Sequence, residues 1–235
     1  MAHKQPVPIY DEPAYHATEA AHMLALPLGT LKAWSYGQNY RQQDGSPKRF
    51  HALIEPADAK AKLLSFNNLC ELHSLAAIRR HYKVPMNAVR TGLAHVKRKL
   101  HSQRPLLDRD FMTDGLHLFI EHAGLVVNVS SEGQSFLSPE FERDLLRVRR
   151  DAHGTAVQLF PATRDTPVLA DQPQFVVIDP TLAFGRPVLA NAGVTTAVIQ
   201  DRFLAGDSPK EMADDYQVDE SDIWEALRFE HRLAA

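Results

Sequence analysis

Apolar residues recur at helical spacing through much of this chain, and three of these stretches pair up as helix-turn-helix units. In the first, 15–34, Thr18 can cap a short helix that turns Ala20, Ala21 and Leu24 inward, Leu26-Pro27 makes the turn, and a second helix begins at Thr30 with Leu31 and Trp34 on its buried side. In the second, 65–100, Ser65 caps a helix carrying Leu69, Leu72 and Ala76 on one face. Pro85 then opens another, in which Met86, Val89, Leu93, Val96 and Leu100 keep a 3-4-3-4 rhythm. The third begins with a helix over 195–205, stopped by Gly206. Ser208, Pro209 and Glu211 form a capped start for the next, with Met212, Ala213 and Tyr216 inward. Val218 fills the turn, and Asp219 caps a last helix whose Ile223 and Leu227 share a face.

Alternating patterns are fewer. Asn39-Tyr-Arg41 and Lys48-Arg-Phe50 flank Asp44-Gly45, a strong hairpin signal, and read as a basic wing on the first unit. Residues 115–121 and 125–129 alternate well enough for a hairpin across Ala123-Gly124. Ser138-Pro139 starts a helix through about Arg149, 154–160 reads as a further strand, and 163–174 is the best linker candidate. The fold class expected is α+β, mainly α, in three parts: 1–107, 108–172 and 173–235.

An internal echo links the second and third units. Ile78, Tyr82, Val84, Val89 and Leu93 have the spacing of Met212, Tyr216, Val218, Ile223 and Leu227. Generic helix-turn-helix packing produces such a pattern as readily as duplication does.

Charge separates the units. Net charge is only −3, but residues 1–110 carry 16 Lys/Arg against 9 Asp/Glu, and residues 111–235 carry 10 against 20. No carboxylate falls between Leu72 and Leu107, where Arg79, Arg80, Lys83, Arg90, Lys97, Arg98, Lys99 and Arg104 lie. Phosphate contact is the reading that such a run favours over a merely solvated face. In contrast, 207–225 carries eight carboxylates and one lysine, a surface that phosphates repel. The third unit is therefore expected to bind protein rather than DNA.

Catalytic and metal signatures do not emerge. Twelve histidines and the single Cys70 show no His-Glu-x-x-His or Cys-x-x-Cys spacing, and no Gly-rich phosphate loop or Gly-x-Ser-x-Gly is present. No cofactor and no enzymatic activity are expected. One cysteine allows no internal disulfide, and Met1–Pro13 lacks an apolar signal core, so a cytoplasmic location, away from membranes, is the simplest expectation.

Two resemblances sharpen this picture. Glu19-Ala-Ala21 followed by Thr30-Leu-Lys-Ala-Trp34 is similar to the MerR-like DNA-binding pattern. Phe175-Val-Val-Ile-Asp-Pro180, Gly185-Arg-Pro-Val188 and Ala205-Gly-Asp-Ser208 resemble the small antitoxin-like domain found beside PIN-type ribonuclease toxins. One departure stands out: Asn191-Ala-Gly193 replaces the Gly-Thr-Arg usual there. The rest of the chain, through Thr113-Asp-Gly115 and Leu118-Phe-Ile-Glu121, looks like the long form of the VapB-like antitoxins.

The resemblance implies an antitoxin that also represses its own promoter. On that reading Lys32 and Tyr36 lie near bases, while Arg41, Lys48 and Arg49 of the wing, with Arg79, Arg80, Lys83, Arg90, Lys97 and Arg98, hold phosphates. A PIN-type ribonuclease toxin holds Mg²⁺ in a carboxylate cluster, and Arg186, Arg228 or Arg232 would compete for it by bidentate pairing. Trp224, beside but off the Ile223/Leu227 face, is the candidate homodimer contact. Two alternatives remain: a MerR-like regulator with a small-molecule effector, and a protein-binding adaptor.

Overall fold

Eight α-helices and three two-stranded antiparallel sheets make up the described part of the chain, an α+β fold dominated by helix. The computed structural model describes residues 7–41, 45–108, 119, 139–164 and 173–232. Helices α1 (Ala17–Met23) and α2 (Leu28–Tyr36) precede the wing of β1 (Gln38–Arg41) and β2 (Pro47–Phe50). Long helices α3 (Phe66–Tyr82) and α4 (Met86–Lys99) follow. Then come α5 (Pro139–Leu145), a hairpin of β3 (Val148–Arg150) and β4 (Ala156–Leu159), and the pair β5 (Val176–Val177) and β6 (Val188–Leu189). Helices α6 (Thr196–Ala205), α7 (Pro209–Tyr216) and α8 (Glu220–His231) close the chain.

Side-chain caps start several of the helices, but not the last: Asp219 precedes α8 without a side-chain cap hydrogen bond, contrary to the expectation. Ser65 Oγ accepts from Asn68 N at 3.2 Å, and Ser208 Oγ accepts from Glu211 N at 3.2 Å while Glu211 reaches back to Ser208 N at 2.9 Å. The start of α1 corrects the expectation: His16, not Thr18, is the cap residue, and its backbone N–H donates to Glu19 Oε2 at 2.8 Å. Helix α5 stops at Leu145 rather than near Arg149. The chain leaves the helix so that buried Arg147 can donate to the carbonyls of Phe160 (2.7 Å) and Pro161 (2.8 Å), and Val148–Arg150 then joins a sheet. The hairpin expected over 115–129 lies outside the described residues except at Phe119, which is helical and fully buried. Its ring fills the space over Gly92 of α4, where a methyl group would stand 2.6 Å away. Most of the expected linker, 165–172, is also outside the described residues.

Helix α3 is the axis of the main core. Leu69, Leu72, Leu75 and Ile78 are fully buried, and so are Cys70 and Ala77 on other faces, because α5, β4 and the 3-10 turns at Ile9–Asp11 and Pro105–Leu107 pack around it. The same cluster runs on through Val148, Leu159 and Ile178 to Phe229 of α8. A smaller core of Leu189, Ile199, Met212, Ala213, Ile223, Ala226 and Leu227 holds α6–α8 together. N-terminal and C-terminal parts thus share buried side chains.

The internal echo extends to the backbone. Lys83 (φ 50°) follows Tyr82 and Gln217 (φ 55°) follows Tyr216, both left-handed, and each N–H bonds back to a carbonyl of the preceding helical turn. Val84 and Val218 then pack inward, one on each core.

Candidate functional site

The basic residues of the N-terminal part divide into free and committed groups. Lys32 on α2 and Arg41, Lys48 and Arg49 on the wing are exposed, as are Lys83, Lys97, Arg98 and Lys99 around α4. The wing is held in place by its own aromatics and by α4. Tyr40 stacks on Phe50 with ring centres 4.3 Å apart, and Arg90 lies 4.9 Å over the Phe50 ring while donating to His51 O. Burial holds the Arg90 guanidinium below its usual pKa. Arg79 sits 6.0 Å over the Trp34 ring, tying α3 to the second helix of the first unit.

Besides Arg79, three residues expected at DNA have structural partners. Arg80 Nη1 lies 2.5 Å from Oδ2 of Asp144, a fully buried carboxylate on α5 that His81 Nε2 also approaches at 3.3 Å. Arg90 is spent on the wing, as above. Tyr36 donates its hydroxyl to Lys62 O at 2.7 Å, and burial raises its pKa, so its ring supports the segment before α3.

Beside α4 lies a cleft of about 650 Å³, bounded by 52–57 and 103–106 and lined by Leu53, Leu93, Arg90, Lys97, Arg104 and Glu71. Burial pushes Glu71 up to about 7 even though Arg104 Nη1 sits 2.7 Å away and pulls the other way.

In the C-terminal part, the three candidate arginines are not equivalent. Arg228 pairs with Glu225, which also holds Arg164 and Thr163. Arg232 donates to the carbonyls of Ala162 and His22 and stacks at 5.7 Å on Phe229, so it fastens α8 to α1. Arg186 is exposed, and its guanidinium meets no acceptor among the described residues.

Arg186 follows a tight turn that the motif Gly185-Arg-Pro did not announce. Ala183 (φ 45°) and Phe184 (φ 57°) both sit in the left-handed region, which costs a non-glycine residue about 1–3 kcal/mol each. Phe184 is 95 % exposed. Sequence pattern alone gave no sign of either property, since strained φ values and solvent exposure of a single aromatic leave no periodic trace.

Trp224 is 40 % exposed, as expected of a residue off the core face. It is not unsupported: Nε1 donates to Glu220 Oε1 at 3.0 Å, and its ring meets Phe203 edge-on at 6.2 Å. Among the described residues no cluster of three or more His, Cys, Asp or Glu is placed to hold a metal ion, and no helix is long and apolar enough to cross a membrane.

Comparison with known proteins divides along the same lines. Residues 13–93, which span the first unit, the wing and most of the second unit, match the family described as "Putative DNA-binding HTH domain". Residues 176–229 match the family described as "Protein of unknown function (DUF433)". "Putative antitoxin VapB45" of Mycobacterium tuberculosis is 29 % identical over 93 % of this chain and 94 % of its own length. A second protein of that organism, "Uncharacterized protein Rv2308", is 22 % identical over 95 % and 93 %. The crystal structure of Rv2018 from Mycobacterium tuberculosis has a similar fold, with a TM-score of 0.67 and 26 % identity over 93 % of this chain and 99 % of that one. The chain is therefore similar to the VapB-like antitoxins along nearly its whole length, with a helix-turn-helix part before the C-terminal trihelical part as in their long form.

Proposed function

We propose that this chain is the antitoxin of a toxin–antitoxin pair. Its N-terminal part binds operator DNA, as an autorepressor, and its C-terminal part holds and silences a PIN-type ribonuclease toxin in the cytoplasm. The observation that carries the DNA-binding half is the surface of α2, the wing and α4. Lys32, Arg41, Lys48, Arg49, Lys83, Lys97 and Arg98 are all exposed there, and 72–107 supplies no carboxylate to neutralise them. The likeness to an antitoxin over nearly the whole chain supports the toxin-binding half.

On this reading Lys32 is the base-edge candidate, because it is the exposed cation on the second helix of a winged helix-turn-helix. Arg80, Arg90 and Tyr36 act from behind, by fixing α5, the wing and the segment before α3. Dimerisation through Trp224 would supply the second half-site, the ring adding to a surface that already exposes Leu204.

The test uses the full chain with its own promoter DNA and with the nuclease encoded beside it. Both should bind, and DNA affinity should fall steeply with salt. Salt-independent or absent DNA binding overturns the first half, and failure to bind or inhibit the nuclease overturns the second. The cleft beside Arg90 favours one other reading, a regulator whose wing answers to a small molecule. That reading gains if operator affinity ignores the nuclease but responds to a metabolite.

A further inference from the structure

We infer that the cleft beside α4 is a binding site for a small organic anion with an apolar body, and that filling it releases the wing from operator DNA. The inference names the site and the ligand class behind the regulator reading above. It rests on the DNA-binding half of the proposed function and is independent of the toxin.

The sequence of α4 lays out one wall. Arg90, Leu93, Ala94 and Lys97 fall on one helix face, two apolar residues between two cations, and all four line the cleft. Buried Ile54 and Leu106 add apolar surface to the same lining. Its volume of about 650 Å³ falls within the roughly 300–1,000 Å³ of small-molecule sites. A second wall, 52–57, is tied to the elements around it. Leu53 N and Ile54 N donate to Trp34 O of α2 at 2.7 and 3.1 Å. Ala57 N donates to Asn68 Oδ1 at 3.0 Å, and Asn68 Nδ2 donates to Glu55 O at 2.8 Å and to Glu71 Oε2 at 3.0 Å. The cleft is thus built from the segment that joins the wing and the second helix of the first unit to α3.

Charge sorts the ligand. Arg104 is held between Glu71 and Asp11, at 2.7 and 2.8 Å, so these three groups satisfy one another. Glu55, the remaining carboxylate of the lining, is exposed. Lys97 is exposed and meets no acceptor among the described residues. Arg90 spends Nη1 on His51 O and its face on the Phe50 ring, while its buried Nε has no hydrogen-bond partner. A buried donor left unmade is the costly state of a polar group, and an anion in the cleft supplies the acceptor. The Nε edge of a guanidinium is also one that pairs bidentately with a carboxylate or phosphate. Such pairing draws Arg90 toward the cleft and away from His51 and Phe50, the contacts by which α4 holds the wing. The ligand then favours the loosened wing and operator DNA favours the held one, so each weakens the binding of the other.

The experiment titrates the full-length protein with hydrocinnamate and with phenyl phosphate, in the presence and absence of operator DNA, by calorimetry and anisotropy. Acetate, inorganic phosphate and phenethylamine at matched ionic strength serve as controls. The two aromatic anions should bind and lower operator affinity at least about fivefold, and operator DNA should weaken their binding by the same factor. The controls should do neither. Ala94→Trp, which fills the cleft from an exposed helix position, should keep operator affinity and melting temperature but lose the response, and Ala94→Leu, a smaller obstruction, should lose part of it. Failure of both aromatic anions to bind overturns the site, and so does binding that both Ala94 variants leave unchanged. Binding in the cleft with operator affinity unaltered overturns the release, as does an equal response to acetate or inorganic phosphate, which would be charge screening. A wild type that binds the anions but no operator DNA overturns the DNA-binding reading and the release with it, while the site itself stands.

Discussion

The Tyr15 hydroxyl donates to the carbonyl of Gly185, 170 residues away, at 3.0 Å in a buried setting. Tyr15 is fixed at its own end, because its backbone pairs with Leu64 in an isolated antiparallel bridge just before α3. Burial, reinforced by Cys70 and Asp179, drives the phenol's pKa far up, so it remains a donor at any physiological pH. One side chain of the proposed DNA-binding part thus braces the turn that presents Phe184 and Arg186.

Gly185 should tolerate no side chain. Its φ is +77°, and a Cβ would stand 2.2 Å from the Tyr15 hydroxyl oxygen. Gly185→Ala is expected to cost at least about 2 kcal/mol, from the left-handed conformation and the overlap together. Tyr15→Phe, which removes the bond and leaves the carbonyl unpaired, should cost about 1–2 kcal/mol. Urea denaturation of both variants checks this, and a Gly185→Ala protein as stable as the wild type would show that the turn is not held as described.

Arg80 should behave as a stability residue rather than a phosphate contact. Asp144 has no exposed side-chain surface, and Arg80, His81 and His73 surround it at 2.5, 3.3 and 3.6 Å. Arg80→Ala leaves the carboxylate buried with its strongest partner gone, at a cost of about 2–4 kcal/mol after allowing for the partial exposure of Arg80. Asp144→Asn in the Arg80→Ala background should recover part of that loss. Arg80→Ala that keeps full stability but loses operator affinity would return Arg80 to the DNA face.

These two networks mark the limit of what the sequence reveals. Most helix positions, the wing and the trihelical end were legible, because apolar rhythm, the caps at Ser65 and Ser208 and the Asp44-Gly45 turn signal are local. The shared core was not. Tyr15–Gly185, Arg80–Asp144 and Arg232–His22 join residues 64 to 210 apart, and nothing local distinguishes a basic residue that will meet a buried carboxylate or carbonyl from one that will meet solvent. For the same reason the charge run from Arg79 to Arg104 correctly marked a basic region but could not sort Lys83, Lys97 and Arg98 from Arg80, Arg90 and Arg104. The end of α5 was missed because Arg147 finds its acceptors beyond the following strand.

Salt dependence should separate anchoring from readout. Changing Lys83, Lys97 and Arg98 together to Ala removes three exposed cations, and the slope of log affinity against log salt should shrink by about 2–3 for every operator sequence alike. Lys32→Ala should instead lower the preference for operator over random DNA, by about 1–3 kcal/mol if it makes a bidentate base contact. Anisotropy titrations at several salt concentrations, with both DNAs, measure the two effects. A triple variant with an unaltered slope would move the DNA off α4.

Acid should loosen the joint between α1 and α8. His22 is buried against the Phe229 ring at 4.8 Å, and burial, with Arg232 close by, lowers its pKa to about 4. Glu230 lies 3.6 Å from Nε2, but its attraction does not offset the loss of water. The folded protein therefore binds the His22 proton more weakly than the unfolded chain, whose imidazole titrates near 6.5. The contribution is fully present above about pH 6.5 and is lost progressively as pH falls toward 4, up to about 3 kcal/mol over the whole window. Glu71 acts in the opposite sense: its raised pKa, about 7, makes its stabilising share greatest below about 4.5 and removes it as pH rises to about 7. Bulk stability mixes the two, so the measurement is the difference between wild type and His22→Phe, which keeps the aromatic contact with Phe229 and cannot titrate. From pH 7 to pH 4.5 the wild type should lose more stability than the variant. Parallel curves would mean that His22 is already charged, or already wet, in the folded protein.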